Sequence, residues 1–476
     1  MKRVIFICCC LLIATIGIAQ DITGKWQGFI KMGDNSIRFI MNLSKNGETY
    51  TASFDSPDQH AFGIGANKTS VVNDSVNADI LVMHAGYSGK WNGKDQITGI
   101  FRQGNMTINL DMKRLSNEEM PNPPITKPKP QTPTGPFNYI SEDVIYENSL
   151  QQVTLGATLT KPKGDGKFPV VIMITGSGAQ DRDETIGMHK PFFVIADYLT
   201  NHGIAVLRVD DRGVGKSTGD FKSSTSADFA TDVMAGINYL KTRNDIDTSK
   251  IGLMGHSEGG LIAPYVAARR KDVAFIVLLA GPAVGGKKTL YYQAVEKPLA
   301  KISEHDRNAY GQFYNAMIEI GISDEVAKNI PDYVRTTYLD WKKQQPDSTL
   351  KVLVPGSDEE VIKGMVAGFS VFNRAWFRFF LTYDISKDLQ KIKIPLLALN
   401  GGNDEQVDPK ENLALIKQIL TKNKNPNFKV YEVPGVNHLF QHCKACGSVS
   451  EYLALDETFD PATLALISSW INEQVK

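Results

Sequence analysis

The stretch Ile251-Gly-Leu-Met-Gly255-His256-Ser257-Glu258-Gly259-Gly260 runs from a short apolar segment, through a glycine-flanked serine, into a segment of helical period, Gly260–Arg270. A serine on a sharp strand-to-helix turn is held in a strained backbone conformation. Glycines on either side let neighbouring main chain approach where a Cβ would clash. The turn lifts the hydroxyl above the end of a sheet, at the positive end of a helix. In a chain with 40 glycines the three fixed residues are a weak signal by themselves. The strand–turn–helix setting is what gives the pattern weight.

Outward from that turn the apolar runs Pro169–Ile174, Ile204–Val209, Phe275–Leu279, Leu396–Leu399 and Phe428–Val433 read as buried strands, together with Ile251–Met254. Helical stretches Phe192–Asn201, Ala227–Thr242 and Lys410–Leu420 lie between them. Continuous aliphatic strands separated by helices predict an α/β fold, a mostly parallel sheet covered on both faces, over residues 137–476. Residues 284–390 break the alternation with mostly helical pattern, far longer than an ordinary crossover, and are expected to form a helical cap over the strand ends. Within it Phe372, Trp376, Phe377, Phe379, Phe380 and Tyr383 crowd one helix. Trp376 and Phe380 are the candidates to face a substrate, packing inside the cap being the alternative for these rings.

Upstream, residues 20–118 carry short period-two runs (Ser36–Leu43, Thr49–Phe54, Ala78–Met83, Gln96–Phe101, Met106–Met112) broken by Asn, Asp and Gly. They predict a small all-β barrel or sandwich, too short for a propeller of seven or eight blades at about 40–50 residues each. The proline-rich residues 119–136 are expected to be a linker. Lys2 and Arg3, the apolar run Val4–Ile18, and Gly17 and Ala19 before Gln20 read as an export signal over residues 1–19. A periplasmic or extracellular protein with no membrane span after signal removal is therefore expected. Loss of Lys2 and Arg3 from 52 basic residues leaves 50 against 52 acidic ones, a net charge of −2 that offers a nucleic acid nothing. Of five cysteines only Cys443 and Cys446 remain beyond the signal, so the fold must rest on its core rather than on a disulfide framework. Nothing in the composition excludes a homo-oligomer.

A serine hydroxyl becomes a nucleophile when a base takes its proton, and the base needs a carboxylate to hold its tautomer. On this kind of sheet the order is serine, acid, histidine. Asp404 follows the run Ile394–Leu399 in Asn400-Gly-Gly-Asn-Asp404-Glu-Gln-Val-Asp408, and His438 follows the last strand in Val433-Pro-Gly-Val-Asn-His438. Spacing alone leaves Glu405 and Asp408 as competing acids and His442 as the rival base. An oxyanion needs two main-chain donors. The Glu258 N–H is one, and Ser177 or Gly178 in Thr175-Gly-Ser-Gly-Ala179 is the second. His438, His442, Cys443 and Cys446 lie within nine residues, but a metal there would consume the base, so no metal and no cofactor is expected. A disulfide or two inert thiols are the alternatives for the cysteines.

Five motifs in order, Thr175-Gly-Ser-Gly-Ala-Gln-Asp-Arg-Asp-Glu184, Val209-Asp-Asp-Arg-Gly213, Gly255-His-Ser-Glu-Gly-Gly260, Gly401-Gly-Asn-Asp404-Glu-Gln-Val407 and Pro434-Gly-Val-Asn-His438, carry a resemblance from about Asp143 to the carboxyl terminus. The chain resembles bacterial α/β-hydrolase carboxylesterases, relatives of the prolyl-oligopeptidase and the acetyl-xylan or cephalosporin deacetylase groups. The resemblance implies Ser257, Asp404 and His438 as nucleophile, acid and base, acting on a small-molecule acyl ester. It also implies that Arg182 and Arg212 brace loops through carboxylates such as Asp183 and Asp211. The amino-terminal β region and the cysteine pair depart from that pattern. A serine peptidase of prolyl-oligopeptidase type and a non-catalytic binding protein with a vestigial hydrolase domain are the competing readings.

Overall fold

The computed structural model describes residues 21–32, 35–47, 49–56, 61–66, 68–80, 85–103, 106–115, 128–323, 329–354, 357–372, 375–444, 446 and 449–476. The expected export signal and residues 119–127 of the expected linker lie outside them. The chain divides into two compact units, one of Met1–Ile30, Arg38–Ser56 and Phe62–Pro123, the other of Lys31–Ile37, Pro57–Ala61 and Pro124–Lys476.

In the first unit the described strands form one antiparallel sheet. Its order is Ala61–Gly65, Thr49–Ser56, Asn35–Asn46, Gly24–Met32, Met112–Arg114, Gln96–Gln103, Ala85–Trp91, Ser75–Ile80, Lys68–Val72, with Met106–Asn109 also paired to Gln96–Gln103. Burial alternates along these strands: Val76, Ala78 and Ile80 point inward while Asn77 and Asp79 are exposed. The inner faces meet around Trp26, Met41, Phe54 and Phe101, with Phe39 packed 5.1 Å from the Phe54 ring. The run Met106–Met112, expected as one strand, is two, interrupted at Leu110 and Asp111. There Asp111 turns its carboxylate to accept the Gly99 N–H.

The second unit opens with a hairpin of β1 (Tyr139–Asn148) and β2 (Val153–Pro162). Then come β3 (Phe168–Ile174), β4 (Ala205–Val209), β5 (Ile246–His256), β6 (Phe275–Leu279), β7 (Leu396–Gly401) and β8 (Phe428–Val433). The sheet order is β1-β2-β4-β3-β5-β6-β7-β8, antiparallel at β1, β2 and β4 and parallel from β4 to β8. Helices α1 (Pro191–Asn201), α2 (Ser226–Lys241) and α3 (Glu258–Ala267) connect the early strands. Successive strand residues feed two different cores, which is why the strands read as unbroken apolar runs. Val170, Ile172, Leu253, Ile276 and Leu396 pack on the α2 and α3 side. Val171, Met173, Met254, Val277 and Leu397 pack on α1 and the carboxyl-terminal helix, where Ile467, Trp470 and Ile471 are buried.

Between β6 and β7 stand α4 (Gly286–Tyr291), a π turn at Tyr292–Glu296, α5 (Glu304–Ile322), α6 (Ile330–Lys343), α7 (Asp347–Leu353), α8 (Asp358–Phe372), α9 (Ala375–Thr382) and α10 (Ser386–Leu389). This insertion has its own core of Phe313, Met317, Val334, Tyr338, Trp341 and Ile362. After β7 come α11 (Pro409–Lys422), α12 (Val449–Ala454) and α13 (Pro461–Gln474). The stretch from Lys129, read from its prolines as linker, is docked on the second unit. Lys129 is buried and donates to the Leu455 carbonyl, and the Gln131 amide donates to the Phe459 carbonyl. Two side-chain donors satisfying loop carbonyls outweigh the solvated character that composition suggests.

Candidate active site

Ser257 makes the turn from β5 into α3 at φ 51° and ψ −115°, a region that a residue with a Cβ occupies only under constraint. Three backbones meet beneath it. A Cβ at Gly255 would overlap the Gly259 carbonyl, and one at Gly259 would overlap that of Ile174. The Ser257 N–H donates to the Leu279 carbonyl at 2.8 Å, and its own carbonyl receives the Gly260 N–H at 2.9 Å.

Asp404 and His438 are both buried, on the loops after β7 and β8. His438 Nδ1 donates to Asp404 Oδ2 at 2.7 Å. The Asn400 amide donates to the same oxygen at 3.0 Å, while Oδ1 accepts the Gln406 and Val407 N–H groups at 2.7 and 2.9 Å. From the π turn of the insertion the Tyr292 hydroxyl donates to the Asp404 carbonyl at 2.9 Å. Two of the three competing residues are engaged elsewhere. Asp408 caps α11 by accepting from Lys410 N–H, and exposed His442 pairs with Glu457 at 2.9 Å.

Ser257 and His438 line one cavity of about 370 Å³ together with Gly176, Ser177, Glu258, Trp376, Phe380, Gln406 and Tyr452. Among the described residues the Ser257 hydroxyl makes no hydrogen bond to His438, a contact that often tightens only around bound substrate. Of the two candidate donors in the loop after β3, Ser177 is on the cavity wall and Gly178, at φ 104°, is not. The Gly176 N–H is already taken by Glu184 Oε1 at 2.6 Å. Trp376 and Phe380 stack at 5.5 Å on the cavity side, while Phe377 and Leu381 pack with Ile318 inside the insertion. The side chain of Phe372 lies outside the described residues.

Glu258 carries a second feature. Its carboxyl accepts from the Ser226 hydroxyl and the Trp376 indole, both at 2.6 Å. Burial pushes it above the usual carboxylate range, against the pull of hydrogen bonds from Ser226, Trp376 and Ser177. The expected loop braces have other partners. Arg182 forks onto Asp210 at 3.0 and 2.6 Å, Arg212 onto Asp232 at 2.7 and 2.9 Å, and Asp183 belongs to Arg208. Asp211 instead accepts from the Thr175 hydroxyl and the Gln180 N–H. Burial raises its carboxyl well above the ordinary range, so it ties the loop after β3 through neutral donors rather than an arginine. Cys443 and Cys446 are joined in a disulfide.

Sequence reasoning did not single out Glu184, His256, Asn400 or Tyr292 for this site. Glu184 and His256 stood only as members of quoted motifs. Asn400 likewise stood only at the head of the Asn400–Asp408 motif, and Tyr292 gave no signal, because neither type marks a carboxylate-orienting role.

An eight-stranded mixed sheet with helices on both faces and a serine turn after β5 define the class of fold, that of the α/β-hydrolases. A family model described as serine aminopeptidase, S33, matches residues 189–311. Esterase EstD of Thermotoga maritima is 26% identical over 334 residues, covering 70% of this chain and 69% of that protein. Among solved structures, the Pyrococcus furiosus esterase Pf2001 is similar at 16% identity and a TM-score of 0.41, over 71% of this chain and 92% of that one. Est1E from Butyrivibrio proteoclasticus with ferulic acid bound is similar at 19% identity and a TM-score of 0.37, over 69% and 96%. The matched family description and the similarity to Esterase EstD support a hydrolase.

Proposed function

We propose that the protein is a serine carboxylesterase that cleaves small acyl esters through a covalent acyl-enzyme. The observation that carries this reading is the buried 2.7 Å contact between His438 Nδ1 and Asp404, on the wall of the cavity that Ser257 shares. Asp404 fixes Nδ1–H, which leaves Nε2 free to take the Ser257 proton as Oγ attacks the ester carbonyl. The Glu258 and Ser177 N–H groups, for which the described residues supply no other partner, serve the developing oxyanion. His438 returns the proton to the leaving alcohol, and water repeats the sequence on the acyl-enzyme. No lysine or arginine lines the cavity among the described residues, and Trp376, Phe380, Leu290 and Leu439 give it an apolar side, which suits a neutral acyl group. The sequence of residues 1–19 supports export.

The test is a panel of short and long p-nitrophenyl esters, acetylated sugars and aminoacyl amides, with a fluorophosphonate probe to report the covalent step. Hydrolysis of short esters with labelling at Ser257 is expected. Labelling with turnover of amides alone would move the reading to a peptidase, the activity named in the matched family description. Neither labelling nor turnover on any arm would leave a binding protein.

A further inference from the structure

Beside the Ser257–His438–Asp404 group lies a second histidine–carboxylate pair that the proposed chemistry does not use. His256, the residue before the elbow serine, is buried with both ring nitrogens engaged. Nδ1 is 2.9 Å from Glu184 Oε1, and Nε2 is 3.0 Å from the main-chain carbonyl of His438. Both partners are acceptors, whereas a neutral imidazole has one donor and one acceptor. Pairing both nitrogens therefore takes a proton beyond those of a neutral imidazole and a carboxylate. Glu184 Oε1 also receives the Gly176 N–H at 2.6 Å, a short contact of the kind an ionised oxygen makes. The extra proton therefore belongs on the ring.

We propose that His256 and Glu184 form a buried imidazolium–carboxylate clamp that positions the Ser177 donor loop and the His438 loop against the serine elbow. One side chain reaches the loop after β3 through Gly176, the other reaches the loop after β8 through His438, and both meet at the end of β5. Neither residue touches a reacting atom, so both are positioning residues, and this inference rests on the serine hydrolase reading. Backbone strain supports a constrained role, since Glu184 is buried and held at φ 51°. The titratable His438 ring lies 4.8 Å from the His256 ring, Asp404 acts on His256 from the loop after β7, and Asp211 and Glu184 act on each other beside the loop after β3. Burial opposes the charged ring, but the Glu184 carboxylate, the His438 carbonyl and Asp404 outweigh it and hold the imidazole above its ordinary pKa. The clamp therefore holds its charge on the acid side of that raised value for as long as the carboxylate is ionised. It is lost as pH rises through the folded value, which lies above the ordinary histidine value of about 6.5.

Nitrogen-15 NMR of the full chain labelled at histidine tests the charge directly, with His256→Gln identifying the signal. Both His256 nitrogens are expected to stay protonated on the alkaline side of the ordinary histidine value of about 6.5, where a free imidazole has lost its second proton. Glu184→Gln removes the charge but keeps the shape, and one amide atom cannot both accept from Gly176 and answer an unprotonated Nδ1. In that variant the signature should vanish by neutral pH. Its kcat should fall by about tenfold or more, equivalent to about 1.4 kcal/mol, with KM little changed and the alkaline limb of the kcat profile moved to lower pH. A neutral His256 at pH 7 in the unaltered protein overturns the inference, and this reading stands even if the variant does not fold. Unchanged kcat and pH profile in a folded Glu184→Gln protein also overturns it. Failure of the hydrolase reading looks different: the ring remains doubly protonated while Ser257→Ala leaves turnover intact.

Discussion

At Ser257 the strained turn serves to present one hydroxyl, so its removal is a clean test. Ser257→Ala keeps the fold and deletes only the oxygen, and turnover of short esters is expected to fall by on the order of 10⁶, as in another serine hydrolase. Retention of more than a few per cent would remove the residue from its role. Three candidate acids crowd the loop after β7, and geometry separates Asp404 from Asp408. Asp404 is buried with four donors, whereas Asp408 spends its carboxylate on the first turn of α11. Asp404→Asn is therefore expected to cost about 10⁴ in kcat by stabilising the wrong histidine tautomer. Asp408→Asn should cost less than about 1 kcal/mol of stability, since asparagine also caps helices, and leave kcat near its original value. Rate assays and thermal melts on the two variants decide this, and the reverse ranking transfers the role to Asp408. The positions of Ser257, Asp404 and His438 were legible because each follows an apolar strand. Glu184 was not, because its partners His256 and Gly176 are 72 and 8 residues away and only the folded sheet brings them together.

Among the elements, the parallel strands were readable because burial on two faces leaves no alternation to confuse them with a helix. The β1–β2 hairpin was missed for the opposite reason: β1 alternates buried and exposed positions and is rich in acidic and polar residues. The insertion was readable by length and helical period, but which of its rings face the cavity depends on how α9 is set over α3. One contact between them is Trp376 to Glu258. Trp376→Phe keeps an aromatic ring against Phe380 while removing the N–H from a buried carboxyl. A loss of about 0.5–1.5 kcal/mol is expected, the net worth of one hydrogen bond, because Glu258 Oε1 keeps the Ser226 hydroxyl. KM for short esters should rise more than kcat falls, because α9 forms part of the cavity wall and supplies no reacting group. Parallel melting and steady-state kinetics measure both. A kcat that collapses at unchanged KM would mean that Glu258 and Trp376 act on the chemical step itself.

For the whole molecule the question is how much of the chain the chemistry requires. Every residue assigned to the site lies beyond position 170, and the two cores flanking the sheet are built from Tyr146 onward. A protein beginning at Pro128 is therefore expected to fold cooperatively and to hydrolyse short soluble esters at close to the full-length rate. The starting point matters. Lys129 and Gln131 hold the carbonyls of Leu455 and Phe459, and the Gln131 side-chain amide oxygen Oε1 also accepts the Phe459 N–H at 2.9 Å. That segment follows Tyr452, which lines the cavity. A start at Phe137 removes these bonds, each worth about 0.5–1.5 kcal/mol, and should melt several degrees lower with a raised KM. Comparing the two truncations with the full chain by calorimetry and by turnover of one small ester separates bracing from chemistry. If the protein starting at Pro128 folds cooperatively yet turns over a small ester far more slowly than the full chain, the amino-terminal unit contributes to the active site. If it matches the full chain on small esters and lags only on bulky or polymeric ones, that unit acts on substrate access and leaves the chemical step to the second unit alone.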